Sequence, residues 1–461
     1  MSGLLVVGDA FLDRDVHGDA NRLCPDAPAV VVDQRVVVER PGGAGLAAAL
    51  ARRNCERVRL LAPVGDDEAG RRLRQLLHGL GVELIAIGDV ASTVEKTRIM
   101  VDGRPLLRLD SGTAPIGSIG WPGDADVADA DSIVVADYGR GTADAPAVRA
   151  ALSRLLARGV PLVWDPHPHG GAPIAGTTLV TPSRREAAAM AGALLPRRAG
   201  AHGLGTTVHD GRTLARHWRV DGVAVTMGAE GALLVRGDGA PLVVPVTEPS
   251  NGTDACGAGD AFSGACATAL ADGAVVSEAV EHGVRVASRF VAEGGAAGLS
   301  GVAGRPEPAA PAHVADRHRT LVASGGCFDV LHAGHVRMLQ QARRLGDRLV
   351  VLINSDESVA RLKGPDRPVN RANDRAAVLR ALDCVDEVVV FEEDTPVQAL
   401  RRIRPAVFVK GGDYSSTNLP EEPVIAEWGG TVVTVPYLAG RSTSALLGRR
   451  ARQSGSLADG G

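Results

Sequence analysis

The strongest constraint on this 461-residue chain is an alternation that runs nearly end to end. Short β-branched runs ("LLVVGD", "VRLLAPVG", "SIVVADYG", "PLVWDP", "TLVTPS", "VAVTMG") recur, and longer Ala/Leu/Arg stretches with helical spacing lie between several of them. Strands alternating with helices need crossover connections, so the expected product is an α/β fold with a parallel sheet covered on both faces. The text "AGRPEPAAPAHVAD" interrupts this pattern, and its prolines predict a semi-rigid linker. The alternation then restarts with "TLVASGG", "DRLVVLINSD", "EVVVFEE", "AVFVKGGD" and "GTVVTVPY". The expected division is a domain over 1–303, a Pro/Ala-rich linker over 304–317 and a second domain over 318–461.

Bulk properties exclude several function classes. Residues are 45% hydrophobic and 23% charged, enough for large cores in a globular protein. A net charge of −4 gives no field that favours nucleic acid or an anionic membrane. Basic clusters such as "ARRNCERVR" read as solvated helix faces. No apolar run reaches membrane-spanning length, and the start lacks the pattern of a signal peptide. Six scattered cysteines form no CxxC pair, so reduced thiols and a cytoplasmic location are expected. No G-x-x-x-x-G-K-[ST] occurs, which excludes the P-loop class.

The most informative stretch of the first half is "NGTDACGAGDAFSGACATAL". It reads as a loop feeding a helix whose unpaired N–H groups and dipole favour an anion. Gly257 and Gly259, flanking Ala258, let the backbone approach a phosphate. Asp260 then lies where it can take a proton from a hydroxyl attacking a γ-phosphate. The competing reading is a Gly-rich turn in which Asp260 caps the helix.

This arrangement resembles the ribokinase-like (PfkB) carbohydrate kinases. Their "D-T-x-G-A-G-D" appears here as "DACGAGD", and their other glycine motif as "PGGAGLAAALAR", with Gly42 and Gly43. "TPSRRE" is similar to the family's "N-x-x-E", which implies that Glu186 meets Mg²⁺ through water. "TMGAEG" resembles its nucleotide-binding motif and implies that Thr226, Gly228 and Gly231 hold ATP. Within the family the likeness is to heptose 7-phosphate kinases, carried by "GDAFLDRDVHGDANRLCPDAPAVVV", "EKTRIMVDGRPLLRLD" and "VVADYGRG". The resemblance implies a doubly wound sheet with a small β lid. It also implies Asp9 and Asp13 on sugar hydroxyls, and Lys96 and Arg108 facing the sugar phosphate. Four positions depart from the pattern: Leu46 for Asn, Ser183 for Asn, Ala255 for Thr and His167 for Lys. Leu46 is expected to remove a polar sugar contact, whereas Ser183 keeps a hydroxyl.

In the second half "CFDVLHAGHVRML" sets His332 and His335 three positions apart, where a strand hands over to a helix. Ligands bind at that end of a parallel sheet, and imidazolium donors there suit charge spreading over phosphoryl oxygens. H-E-x-x-H zinc spacing is absent. The stretch resembles the H-x-G-H nucleotidyltransferases of the cytidylyltransferase-like branch, a second Rossmann-like domain. "RLKGPDRPVN", "VKGGDY" and "GRSTSALLGRR" support the likeness. It implies Lys363 on the phosphates, Ser442, Thr443 and Ser444 on the departing pyrophosphate, Lys410 on the sugar phosphate and Asp413 on the sugar. "KGPDRPV", "FEEDTP" and "KGGDY" are similar to the ADP-heptose-forming branch.

Both halves, in this order, resemble bifunctional heptose kinase–adenylyltransferases. The resemblance implies ATP as substrate at both sites, Mg²⁺, and sugar phosphates as partners, with a homo-oligomeric state. A separate phosphatase must act between the steps, because no third catalytic domain is evident. Two other readings stay open: a kinase for another sugar fused to a cytidylyltransferase, and a sugar-phosphate sensor with a decayed kinase half.

Overall fold

The computed structural model describes residues 3–112, 119–123, 127, 129–195, 203–246, 255–296, 320–411 and 419–436. The chain divides into two units: 1–196, 210–237 and 246–312 form the first, and 197–209, 238–245 and 313–461 the second. The expected linker, 304–317, lies outside the described residues.

In the first unit the expected apolar runs all become strands. These are β1 (Gly3–Gly8), β4 (Arg57–Ala62), β5 (Val82–Ala86), β8 (Ser132–Ala136), β9 (Leu162–Asp165), β10 (Leu179–Val180) and β11 (Val223–Thr226), with β12 (Ala232–Val235) added. They lie in the order β5-β4-β1-β8-β9-β10-β11-β12. All neighbours are parallel except β12, which returns antiparallel on β11. Leu5, Val6, Leu60, Ile133, Val134 and Trp164 are fully buried, as strands covered on both faces require. The helices are α1 (Ala44–Ala51), α2 (Glu68–Gly79), α3 (Pro146–Ala157), α4 (Arg184–Leu194), α5 (Leu204–Trp218), α6 (Ala258–Ala271) and α7 (Val276–Ala292). Connections run one way from β1 to β4 and the other way from β8 to β9, so the order reverses between β1 and β8. A crevice opens at such a point, outside the carboxyl ends of the strands.

A separate four-stranded sheet forms the lid: β2 (Ala10–Leu23), β3 (Val30–Gly43), β6 (Glu95–Val101) and β7 (Arg104–Ser111), in the order β3-β2-β6-β7. Cross-strand partners share a face. One face carries the row Arg40, Asp13, Lys96, Asp110 and next to it Val38, Asp15, Arg98, Arg108. The other carries the apolar row Val37, Val16, Ile99, Leu107. The long hairpin of β2 and β3 was not expected from sequence. Its alternation is charged on one side and mixed on the other, so it lacks the apolar signature of a core strand.

The second unit has β14 (Leu321–Gly326), β15 (Arg348–Asn354), β16 (Glu387–Phe391), β17 (Val407–Gly411) and β18 (Thr431–Val435), with β13 (Leu242–Val244). The order β16-β15-β14-β17-β18-β13 is parallel throughout. Its helices are α8 (Ala333–Arg343), α9 (Asp356–Lys363), α10 (Ala372–Arg380), α11 (Val397–Ile403) and α12 (Glu422–Ala426). Chain order alone would give β13 to the first domain. It joins this unit because Leu242 pairs with Thr434 and Ala240 packs in the core with Phe408, Leu400 and Ile425. The strand order reverses between β14 and β17, directly ahead of the two histidines.

Gly42 and Gly43, at the end of β3, let the lid strand close on its neighbours. Gly43 has φ +58, and a Cβ at Gly42 would enter the Phe11 ring and come within 2.8 Å of Asp13 Oδ2. Gly42→Ala is therefore expected to cost about 1–3 kcal/mol of stability by overpacking and to weaken sugar binding by displacing Asp13. Thermal melts and sugar titration measure the two effects.

Candidate active sites

The first site is built at the reversal between β1 and β8. Asp9, just past β1, is 3% exposed. Its carboxylate accepts the backbone N–H groups of Tyr138 (3.1 Å), Arg140 (3.0 Å) and Thr142 (3.2 Å). Asp9 thereby fastens the loop after β8, whose amides would otherwise be unpaired.

Helix α6 begins at Ala258, with Gly257 at its cap in the left-handed region (φ 83) and no side-chain cap. The Ala258 N–H bonds the Ala255 carbonyl at 3.1 Å, and no side chain caps the amides that follow it. Asp260 does not cap the helix: its oxygens accept from the Tyr138 hydroxyl at 2.9 and 3.0 Å. Burial, with the Asp13 charge adding to it, pushes the Asp260 carboxyl up to about 7, although the Tyr138 hydrogen bond and Lys96 pull the other way. A carboxyl poised there suits a general base.

From the lid, Asp13 and Lys96 lie on one face, as the register requires. Asp13 is 4% exposed and receives Arg98 Nη1 at 3.2 Å. Arg98 also reaches Asp15 at 3.3 Å, and Arg40 lies against both carboxylates. The Lys96 ammonium sits 3.5 Å from the Phe11 ring centroid. Its burial, with the charges of Arg108 and Arg140 acting the same way, lowers it to about 8 despite Asp13. Arg108 is half-exposed and forks onto Asp110 at 2.7 and 2.6 Å. Arg98, Arg40, Arg140 and Tyr138 were assigned no role from the sequence. Register in the lid hairpin was the signal that would have found the first two.

Leu46 is 3% exposed and packs with Leu50, Ala261 and Phe290, its Cδ2 3.0 Å from where a Gly257 Cβ would stand. It supports the anion-binding loop from beneath with apolar contact. Ser183 caps α4: it accepts from Glu186 N at 3.3 Å, while Glu186 Oε2 accepts from Ser183 N at 2.8 Å. Thr226 lies beside this cap through a bridge to Ser183. The following turn has Gly228 at φ 61 and Gly231 at φ 96, and Glu230 holds it to Arg184 at 2.9 and 2.8 Å. Asp165 is pushed well up by burial and by the Asp260 and Glu186 charges. Among the described residues no group of three or more His, Cys, Asp or Glu side chains is arranged to ligate a metal directly.

The second site lies at the reversal between β14 and β17. A cavity of about 160 Å³ is lined by Gly326, Phe328, Gly334, His335, Lys363 and Gly411, among others. His332 stands at the cap of α8, and its ring stacks on His335 at 3.8 Å. His335 Nδ1 accepts the His332 N–H at 3.4 Å, which places its own proton on Nε2. Burial lowers His335 to about 4, with His332 and Lys363 acting the same way. The expected imidazolium is thus a neutral imidazole at pH 7, donating one N–H.

Asp329, 4% exposed, takes Val369 N at 2.7 Å, Asn370 N at 3.1 Å and Arg367. Arg375 donates to the carbonyls of Cys327 (2.7 Å) and Asn370 (2.9 Å) and to Asp356 (2.8 Å). Together they tie the 367–370 loop to the histidine turn. Lys410 pairs with the buried Glu421 at 2.8 Å, so its charge is already balanced. Asp413, Ser442, Thr443 and Ser444 lie outside the described residues.

Two family models match the chain in succession. The family model described as pfkB family carbohydrate kinase matches 1–300, and the one described as cytidylyltransferase-like matches 323–439. The chain is 50% identical over 458 residues to a protein named Bifunctional protein HldE from Streptomyces coelicolor, covering 97% of this chain and 96% of that one. A protein of the same name from Halorhodospira halophila is 36% identical, with 97% and 96% covered.

Because kcat/KM reports groups of the free enzyme, the first site should show a bell-shaped pH profile. Its acid limb falls near 7, where Asp260 gains its proton, and its basic limb near 8, where Lys96 loses its own. Lys96→Arg should remove the basic limb from the measurable range, because a guanidinium stays charged.

Proposed function

Because the chain belongs to the family of bifunctional HldE proteins, a pfkB carbohydrate kinase joined to a cytidylyltransferase-like unit, we propose that its two sites act in turn on one heptose. It is a sugar kinase and a nucleotidyltransferase on one polypeptide. The first site moves the γ-phosphate of ATP to O1 of heptose 7-phosphate, and the second joins AMP to heptose 1-phosphate, giving ADP-heptose and pyrophosphate. The observation that carries this reading is the pairing of a poised carboxylate, Asp260, with an uncapped helix start in one unit and a stacked imidazole pair in the other.

In the first site Asp13 orients the sugar, with Arg98 and Arg40 fixing its carboxylate. Lys96, aided by Arg140, meets the sugar phosphate. Asp260 takes the O1 proton as that oxygen bonds to the γ-phosphorus, and ADP leaves with the electron pair. The α6 amides hold the phosphate charge as it develops. Thr226, Gly228 and Gly231 hold the nucleotide. Glu186 would hold Mg²⁺ through water, and the ion would supply charge neutralisation for the phosphates.

In the second site His335 donates through Nε2 to the α-phosphate and Lys363 places a charge on the same oxygens. Arriving phosphates raise the affinity of His335 for a proton, since opposite charge favours the charged form. Ser442, Thr443 and Ser444 take the leaving pyrophosphate. Asp413 contacts the sugar, and Lys410, with Glu421, shapes that side of the pocket. The 7-phosphate must be removed between the steps by a separate phosphatase. No helix among the described residues is long and apolar enough to cross a membrane.

Mass spectrometry of products from ATP, Mg²⁺ and heptose 7-phosphate, with and without a phosphatase, tests the sequence of reactions. Asp260→Asn should abolish sugar phosphorylation and leave pyrophosphate release intact. His335→Ala should do the reverse, at a cost of roughly 10² in turnover. Loss of both activities in either variant would contradict two independent sites.

The outer face of the lid offers a contact for a second copy. Val37 and Leu107 are 38% and 52% exposed, in line with Val16 and Ile99, and Leu109, 52% exposed, stands in the neighbouring row opposite Thr97. A contiguous apolar row of this kind marks an interaction site. Light scattering should give twice the chain mass for the wild type and the single mass for Leu107→Glu.

A further inference from the structure

The motifs give Tyr138 no part in the reaction, yet it touches the base. Its hydroxyl spans both oxygens of Asp260, at 2.9 and 3.0 Å, so one proton is shared along the edge that faces it. Three contacts aim the phenol there. Its backbone N–H is bonded to Asp9 at 3.1 Å. Its ring meets Phe11 edge-on, 5.4 Å between centroids at 87°. The Lys96 ammonium lies 5.5 Å from the same ring. Phe11 and Lys96 belong to the lid sheet, whereas Tyr138 follows β8. The phenol therefore stands between the lid and the base.

A substrate hydroxyl must come within hydrogen-bond reach of the same carboxylate to lose its proton. Resting on the reading of Asp260 as that base, we propose that Tyr138 masks it: the phenol occupies the carboxylate edge until a lid-held sugar hydroxyl displaces it to one oxygen. Water, which neither Asp13 nor Lys96 holds in place, does not displace it. The two fates of ATP then differ by a single group. With sugar, the O1–phosphorus bond forms, the bond from the γ-phosphorus to the bridging oxygen breaks, ADP leaves with the electron pair, and Asp260 keeps the proton. With water in that position the same bonds change, and the products are ADP and inorganic phosphate. The mask favours the first outcome. After displacement the phenol still bonds one oxygen and orients the other, so Tyr138 is a positioning residue.

The test uses the full chain with ATP and Mg²⁺, measuring inorganic phosphate without sugar and phosphorylated sugar with it. Tyr138→Phe keeps the ring against Phe11 and removes only the hydroxyl. Sugar-independent phosphate release should rise on the order of tenfold, the equivalent of one hydrogen bond to a charged group. The acid limb of kcat/KM for sugar should move to higher pH, because the phenol no longer favours the charged carboxylate. Asp260→Asn added to Tyr138→Phe should return phosphate release to background. Phe11→Leu, which loosens the seat of the ring without touching Asp260, should raise release in the same direction. If neither single variant raises it and the acid limb stays in place, the mask does not exist. A wild-type chain that phosphorylates no sugar phosphate overturns the kinase reading itself, an outcome read in the separate sugar arm.

Discussion

Amides at the start of α6 have no side chain to serve them. Gly257 takes a left-handed conformation at the cap, and beyond the Ala258 bond to the Ala255 carbonyl no side chain among the described residues caps the tip, the kind of place that favours an anion. Everything else in the first unit follows from keeping that tip in place. Leu46 and Phe290 pack beneath the turn, small residues bury α6 against α1 and α7, and the neighbouring carboxylate becomes hard to ionise because the surroundings are dry. The second unit reaches a similar end differently. There the helix tip carries two imidazoles, one bonded to the backbone of the other, so that donors and helix dipole act from one place.

The parallel sheets were legible because buried strands spell themselves in β-branched residues. Each of the runs quoted from "LLVVGD" to "GTVVTVPY" became a strand, and the helices expected after the glycine loop and at the histidine turn are α6 and α8. Asp260, His335 and Lys363 stood out in the sequence because their motifs are local. What escaped was long-range or spent on neighbours. Tyr138 reaches Asp260 across 122 positions, a pairing that no local pattern signals. Asp9, Asp329 and Lys410 have the right chemistry for ligands, yet their oxygens or charge are engaged by backbone amides or a buried partner. Strand β13 escaped for a related reason: its pairing partner lies far along the chain.

Departures from the family pattern also become intelligible. Leu46 exchanges a polar group for apolar support under the phosphate loop. Ser183 retains the capping geometry that holds Glu186, since a hydroxyl serves an N-cap as well as an amide does.

Arg375 ties together three segments that are distant in sequence. Its guanidinium is 2% exposed and spreads its donors over the Cys327 carbonyl, the Asn370 carbonyl and Asp356. A lysine has one point of charge and would serve one of these directions at a time. The histidine turn, the following loop and the first turn of α9 thereby become one cooperative element, opening to solvent together or not at all. Amide protons in all three would then exchange with deuterium through a single shared event, so any motion that admits a sugar phosphate from that side must carry the imidazoles with it.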